Sequence, residues 1–286
     1  MAIARLEAPG RGRRWAVLVP FLQKVEYDSL LIGGNNFELW EDEPPEEAWR
    51  RAQQAAQSVP AYFGSTALPL PDQVAEAAKE LEAREVYKRE YARKADVRLG
   101  MVPLSGLVSP QPVADMDYVD DLAQLLSPTE DVRRDFAFAF PLGDVPDPMV
   151  AGQMVVFNSQ TANVLVNPLA DWQRVGDEIR IFLRASSRPN YVWVAEMGAK
   201  LILLNGVHKA LAAIKAGRSM LPAVIRQATS IPELGLQPSP FLNQLLAPRP
   251  PLVADFLHPM AIAMVRRPTR TLTRLMVQVD QTPFPE

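Results

Sequence analysis

Residues 191–225 constrain this chain more than any other stretch, because β-type and helical patterns follow one another there without interruption. Aromatic and aliphatic runs on either side of Met197-Gly198-Ala199 predict a β-hairpin. The helical spacing that starts at Val207 predicts a helix, and Gly217 is a residue suited to end it. The predicted elements are strands over 191–194, 201–204 and 221–225 and a helix over 207–214. This stretch is therefore a β-turn-β-α-β unit.

The junction Asn205-Gly206-Val207-His208-Lys209 is the one place where the sequence indicates chemistry. Glycine between a strand and a helix permits a sharp turn and a close approach of a ligand to the main chain. The unpaired amides and positive dipole end of the helix suit a phosphate, which Lys209 would attract and to which His208 would donate a hydrogen bond or a proton. The alternative is structural: a turn at Asn205-Gly206, a solvated Lys209 and a His208 that caps or packs at the helix end.

The hairpin, the segment NGVHKALAAIKAG and the strand LPAVI together resemble the ParB/sulfiredoxin superfamily. That family has an apolar strand, an acidic residue and glycine, a His-Arg or Arg-Arg pair that opens an alanine-rich helix, then a glycine and a closing strand. Residues 102–112 and the helical pattern over 118–126 resemble its opening strand and first helix. The resemblance spans residues 97–228 and is convincing only across 191–225.

The resemblance implies a nucleotide site in which Gly206, His208 and Lys209 hold phosphates. Three positions depart from the family pattern: Asn205 replaces an acidic residue, Val207 a polar one and Lys209 an arginine. Lysine contacts phosphate as a point charge, so recognition would be less specific in geometry than with arginine. Sulfiredoxin chemistry needs a cysteine, and the chain has none.

Composition narrows the function further. A net charge of −3 gives no overall attraction to nucleic acid. Two histidines and no cysteine argue against a histidine- or thiolate-based metal centre, whereas magnesium on carboxylates stays open. The longest apolar run, residues 15–22, is too short to span a bilayer and contains Pro20. We therefore expect a cytoplasmic protein without a membrane segment.

Three segments are predicted along the chain. Residues 1–96 hold strands and charged helices, residues 97–228 form the ParB/sulfiredoxin-like domain with an insertion over 131–167, and residues 229–286 form a proline-rich arm and a β-hairpin. The arm would pack over the core or over a protein partner. The hairpin would pair 262–265 with 272–279 around a basic turn.

Several local patterns add specific expectations. The alternation Phe136-Ala137-Phe138-Ala139-Phe140 predicts a buried strand, and apolar residues at helical spacing predict a helix over 171–185. Residues 72–95 predict one long helix, whose basic half over 84–94 offers a weak nucleic-acid face among interleaved glutamates. The upstream carboxylates are candidates for a base or a magnesium ligand, or for helix-capping residues: Asp115, Asp117, Asp120 and Asp121.

The sequence thus predicts a mixed α/β protein of ParB/sulfiredoxin-like type. The leading hypothesis is nucleotide or phosphate binding at residues 205–209. Its enzymatic form is phosphoryl transfer or phosphodiester hydrolysis, with His208 and Asp117 as catalytic groups and Mg²⁺ brought by the nucleotide. The alternatives are a non-enzymatic protein-interaction module that kept the fold, and a DNA-binding protein.

Overall fold

A computed structural model gives the architecture of the chain. It describes residues 12–32, 38–39, 44–56, 62, 64–92, 96–126, 129–141, 147–151, 154–158, 164–175, 178–187 and 190–267. The predicted strand over 272–279 lies outside these residues. By the density of internal contacts the chain divides into two compact units, one of residues 1–140 and 191–270 and one of residues 141–190 and 271–286.

Helices and strands alternate irregularly along the chain, as the mixed α/β class predicts. The helices are α1 (Lys24–Ile32), α2 (Pro45–Ala56), α3 (Ala75–Ala83), α4 (Glu85–Tyr87), α5 (Met116–Ala123), α6 (Val132–Ala139) and α7 (Val207–Lys215). The strands are β1 (Arg13–Leu18), β2 (Glu38–Leu39), β3 (Arg98–Pro103), β4 (Leu107–Val108), β5 (Val113–Asp115), β6 (Asp147–Ala151), β7 (Met154–Asn158), β8 (Val164–Val175), β9 (Glu178–Ser187), β10 (Trp193–Met197), β11 (Lys200–Asn205), β12 (Met220–Gln227) and β13 (Ile262–Arg267).

The larger unit contains one antiparallel sheet, sheet A, and one mixed sheet, sheet B. Sheet A has the strand order β2-β13-β1-β5, and sheet B has the order β3-β12-β10-β11-β4. In sheet B the predicted hairpin is present as the antiparallel pair β10–β11, and β12 lies parallel to β10. Helix α7 connects β11 to β12. The elements predicted over residues 191–225 are confirmed.

Sheet A joins strands that are far apart in sequence. Its central strand β1 pairs with β13, so that Trp15 lies opposite Val265, and with β5, so that Val17 lies opposite Val113. Strands from the beginning, the middle and the end of the chain therefore share one sheet. Many long-range contacts of this kind need a chain long enough to bury a common core.

Both edges of sheet B are covered by short main-chain bridges. Leu68 exchanges two hydrogen bonds of 2.8 Å with Met101 of β3, and Val108 of β4 bridges to Leu252. Covered edges offer no template for a further strand. The proline-rich segment after β12 also packs on this sheet. Its residues Leu234, Leu242 and Leu245 form a buried cluster with Ala195 of β10 and Ile202 of β11.

The smaller unit is described through two antiparallel strand pairs. Strand β6 pairs with β7, and β8 pairs with β9 with an irregularity between Asn167 and Asp171. The predicted strand over 154–157 is confirmed within β7. The helix predicted over 171–185 is wrong, because this segment forms the second half of β8 and most of β9. The pairing of the two strands extends to Val175 and Glu178.

The strand predicted over 136–140 is also wrong, because these residues belong to α6 and its C-terminal cap. Asp131 begins the helix, since its side chain accepts hydrogen bonds from the amides of Arg133 and Arg134. Phe136 and Phe140 are one helical turn apart and their rings contact each other at 4.7 Å between centroids. The alternation of Phe and Ala is therefore compatible with a helix whose buried face includes Phe136 and Ala139.

The helix predicted over 72–95 is interrupted. A 3₁₀ turn precedes α3, and Arg84 has an extended conformation (φ −67°, ψ 135°) before α4. In a continuous helix, Leu81 and Tyr87 would lie about 120° apart around the axis. Both are buried in the structure, because the break at Arg84 turns the second segment toward the core.

Candidate functional site at the strand-to-helix junction

The turn at Gly206 joins β11 to α7 and requires glycine. Its φ of +100° lies in the left-handed region, and a Cβ at this position would lie 3.2 Å from the Cα of Val192. The close neighbour is therefore the main chain of the protein itself. Among the described residues no side chain caps the first turn of α7, so none of them places a capping carboxylate or hydroxyl at the positive end of the helix.

Asn205 connects the two ends of the β10–β11 hairpin. Its Nδ2 donates a hydrogen bond of 2.9 Å to the carbonyl oxygen of Tyr191, just before β10. Asn205 is also the last residue of β11 and pairs with Trp193. The side-chain amide of Asn205 thus holds the base of the hairpin together.

His208 contacts the point where β5 ends and α5 begins. The main-chain amide of Asp115 donates to Nε2 of His208 at 3.0 Å, and the imidazole lies edge-on to the ring of Tyr118 at 5.4 Å. Burial lowers the pKa of His208, the nearby Asp115 carboxylate opposes this, and Arg13 adds to the lowering. Nε2, the ring nitrogen that would transfer a proton, therefore already accepts a hydrogen bond.

Lys209 points away from the solvent. It is 4% exposed, its Nζ donates to the carbonyl oxygen of Ala139 at 3.3 Å, and it lies 5.8 Å from the centre of the Phe138 ring. Ala139 is the last residue of α6, where carbonyls lack helical partners and a cation is favourable. Even so, loss of hydration lowers the pKa of Lys209 from 10.5 to about 7.

The upstream carboxylates are engaged by basic residues. Arg13 contacts Asp115 at 3.0 Å, and Arg14 contacts Asp117 at 2.6 Å and Asp120 at 2.8 Å. Asp115 also caps α5 by accepting from the amide of Tyr118. The helix-capping alternative thus accounts for Asp115, and Asp117 is paired with an arginine of β1.

Two further basic contacts complete this network. Lys215, at the end of α7, binds Asp120, and Arg13 reaches Asp121 at 3.6 Å. Burial alone would raise the pKa of Asp120, but hydrogen bonds and charges from Lys215 and Arg14 lower it overall. Among the described residues, no group of three or more histidine, aspartate or glutamate side chains is arranged to hold a metal ion.

One buried ion pair beside the junction could not be predicted from the sequence. Arg218 follows the glycine that ends α7, and its Nε donates to both carboxylate oxygens of Asp135, at 3.1 Å and 2.9 Å. Both residues are buried, and Arg218 also donates to the carbonyl oxygens of Ala216 and Thr129. The partner lies on α6, 83 residues away in the chain, so local spacing could not reveal it.

Within the described part of the chain, no helix combines the length and the apolar character needed to cross a membrane. Comparisons with protein-family models, with curated proteins and with solved structures found no match.

Proposed function

We propose that this protein is a non-enzymatic protein-interaction module, in which the unit that resembles the ParB/sulfiredoxin nucleotide domain serves as the structural centre. The proposal rests on one observation: the polar side chains of Asn205, His208 and Lys209 form contacts within the protein. Asn205 binds Tyr191, His208 accepts from Asp115, and Lys209 binds the end of α6. Each side chain joins two parts of the same chain. Each contact uses a polar atom that could otherwise face a phosphate: Nδ2 of Asn205, Nε2 of His208 and Nζ of Lys209.

The smaller unit supports the proposal of a protein partner. Its described strands pair only in twos, β6 with β7 and β8 with β9. Each pair therefore has outer edges with no strand partner among the described residues. Main-chain groups along such edges are where strands of other proteins add, and an isolated two-stranded pair gains stability from further packing.

The experiment compares ligand response with intrinsic stability. We expect inorganic phosphate and ATP with Mg²⁺ to leave the melting temperature of the wild-type protein unchanged. We also expect Asn205→Ala and His208→Ala to lower it without any ligand, since each removes a hydrogen bond worth about 1 kcal/mol. Lys215→Met, at the exposed end of the same helix, is the control for the loss of charge in Lys209→Met, and it also removes the contact with Asp120.

A rise in melting temperature with ATP that Lys209→Met removes would contradict the proposal. It would instead favour nucleotide binding, which one observation keeps as the second candidate: the first turn of α7 follows a left-handed glycine and has no side-chain cap. In that case the main-chain amides of Val207 and His208 would hold the phosphate. Titration of labelled protein with ATP would then shift the resonances of these two amides before any others.

A further inference from the structure

The hydrogen bond between Asp115 and His208 fixes the protonation state of the imidazole. A main-chain amide can only donate, so the Nε2 atom that faces it at 3.0 Å must be unprotonated. The proton of the neutral ring is therefore on Nδ1. A second proton would place an N–H group directly against the amide N–H of Asp115.

This bond also connects the two sheets of the larger unit. Asp115 is the last residue of β5, at the edge of sheet A, and the capping residue of α5. His208 is the second residue of α7, which links β11 to β12 of sheet B. One proton-sensitive contact thus lies between strand β5 of sheet A and helix α7, which connects two strands of sheet B.

We propose that His208 is a pH-sensitive latch between the β5–α5 junction and helix α7, closed while Nε2 is unprotonated and released when it takes up a proton. The released state loses the hydrogen bond and puts a positive ring beside the amide. The edge-on contact with Tyr118 is at the same position, so release also disturbs the packing of α5 on α7.

The neighbouring charges do not reverse this behaviour. Asp115 would stabilise a protonated ring, but its carboxylate accepts from the amide of Tyr118 and forms an ion pair with Arg13, whose charge opposes protonation. The phenol of Tyr118 is uncharged near neutral pH, and burial raises its pKa further. The other ionisable groups on elements that pack against α7, or on α7 itself, have other partners: Asp117, Asp120 and Lys215 lie in the network with Arg14, Asp121 contacts Arg13, Lys209 binds Ala139, and Asp255 is bound by Arg249.

The direction of the pH effect follows from linkage. Burial lowers the pKa of folded His208 below the unfolded value of 6.5. The unfolded state therefore binds more protons in this range, and the stabilisation is present above pH 6.5 and lost as the pH falls through the folded pKa. The latch is closed at neutral pH and opens on acidification.

The first test uses the full-length wild-type protein labelled with ¹⁵N-histidine. The chain has two histidines, and the signals of His208 are assigned through its own main-chain resonances. We expect His208 at pH 8 to be the tautomer with its proton on Nδ1, and to take up a proton at lower pH than free histidine in solution. A proton on Nε2 at pH 8, or titration of His208 at the pH of free histidine, overturns the proposal.

The second test measures hydrogen-exchange protection of the Asp115 amide between pH 8 and pH 5. We expect protection in the wild type to fall by about tenfold as the bond is lost. In His208→Gln, a side-chain carbonyl that does not titrate can accept from the same amide, so protection should not depend on pH. Equal falls in the two proteins, or no fall in the wild type, contradict the latch. If the variant does not fold, the tautomer measurement on the wild type still decides.

Discussion

The buried ammonium of Lys209 predicts that the protein becomes more stable as the pH rises above neutrality. The pKa of this group is about 7 in the folded state against 10.5 for a solvated lysine. Between these values the unfolded chain holds a proton that the folded chain has released. Because the unfolded chain binds more protons throughout this window, stability increases as the pH rises through it and is lost as the pH falls toward 7.

The size of the effect follows from the two pKa values. Between pH 7 and pH 9 the unfolded lysine stays protonated, while the folded lysine goes from half protonated to almost fully neutral. Linkage gives an increase in the free energy of unfolding on the order of 2 kcal/mol over this interval. Tyrosines contribute little here, because burial raises the pKa of the shifted ones from a starting value of 10.

The assay is urea unfolding of the wild type and Lys209→Met at pH 7, 8 and 9. Methionine fills a similar volume and does not titrate, so the difference between the two proteins isolates Lys209 from other groups. We expect the wild type to gain about 2 kcal/mol relative to the variant between pH 7 and pH 9. Lys215→Met, at the exposed end of the same helix, should follow the wild type. Parallel pH profiles for wild type and Lys209→Met would refute the assignment of a desolvated ammonium.

Two further substitutions test the contacts around the junction. Asp135→Ala leaves Arg218 buried without its carboxylate and should lower the free energy of unfolding by about 3–5 kcal/mol in urea titrations; a loss below about 1 kcal/mol would indicate that water reaches the guanidinium. Gly206→Ala combines a left-handed φ with a Cβ 3.2 Å from Val192 and should cost clearly more than Gly198→Ala. Gly198 also has positive φ, but nothing lies within 4 Å of its Cβ position, so equal losses would show that the close approach is not limiting.

The sequence was most informative where the hydrophobic period changes at a residue with special backbone preferences. Between β11 and α7 the continuous apolar run gives way to helical spacing at Gly206, and at Gly217 the helix ends with a second positive φ. These signals are local, so each element of residues 191–225 could be predicted without knowing its neighbours. The mixed α/β class followed from the same patterns.

The two wrong assignments arose where local periodicity fits both structures. The apolar residues of 171–185 satisfy a helical period, and the pairing of β8 with β9 overrides it through contacts between strands. The Phe-Ala alternation of 136–140 suggests a strand, but a capping aspartate five residues upstream commits the segment to a helix. Pairing and capping partners decide such cases, and neither belongs to the ambiguous segment itself.

One of these two segments also determines the surroundings of Lys209. Because α6 is a helix, its last turn presents a carbonyl oxygen that accepts from both the Val192 amide and the Lys209 ammonium. The direction of the Lys209 side chain is set by where α6 ends. A segment distant in sequence thus supplies an acceptor for this lysine, which the pattern of residues 205–209 alone could not predict.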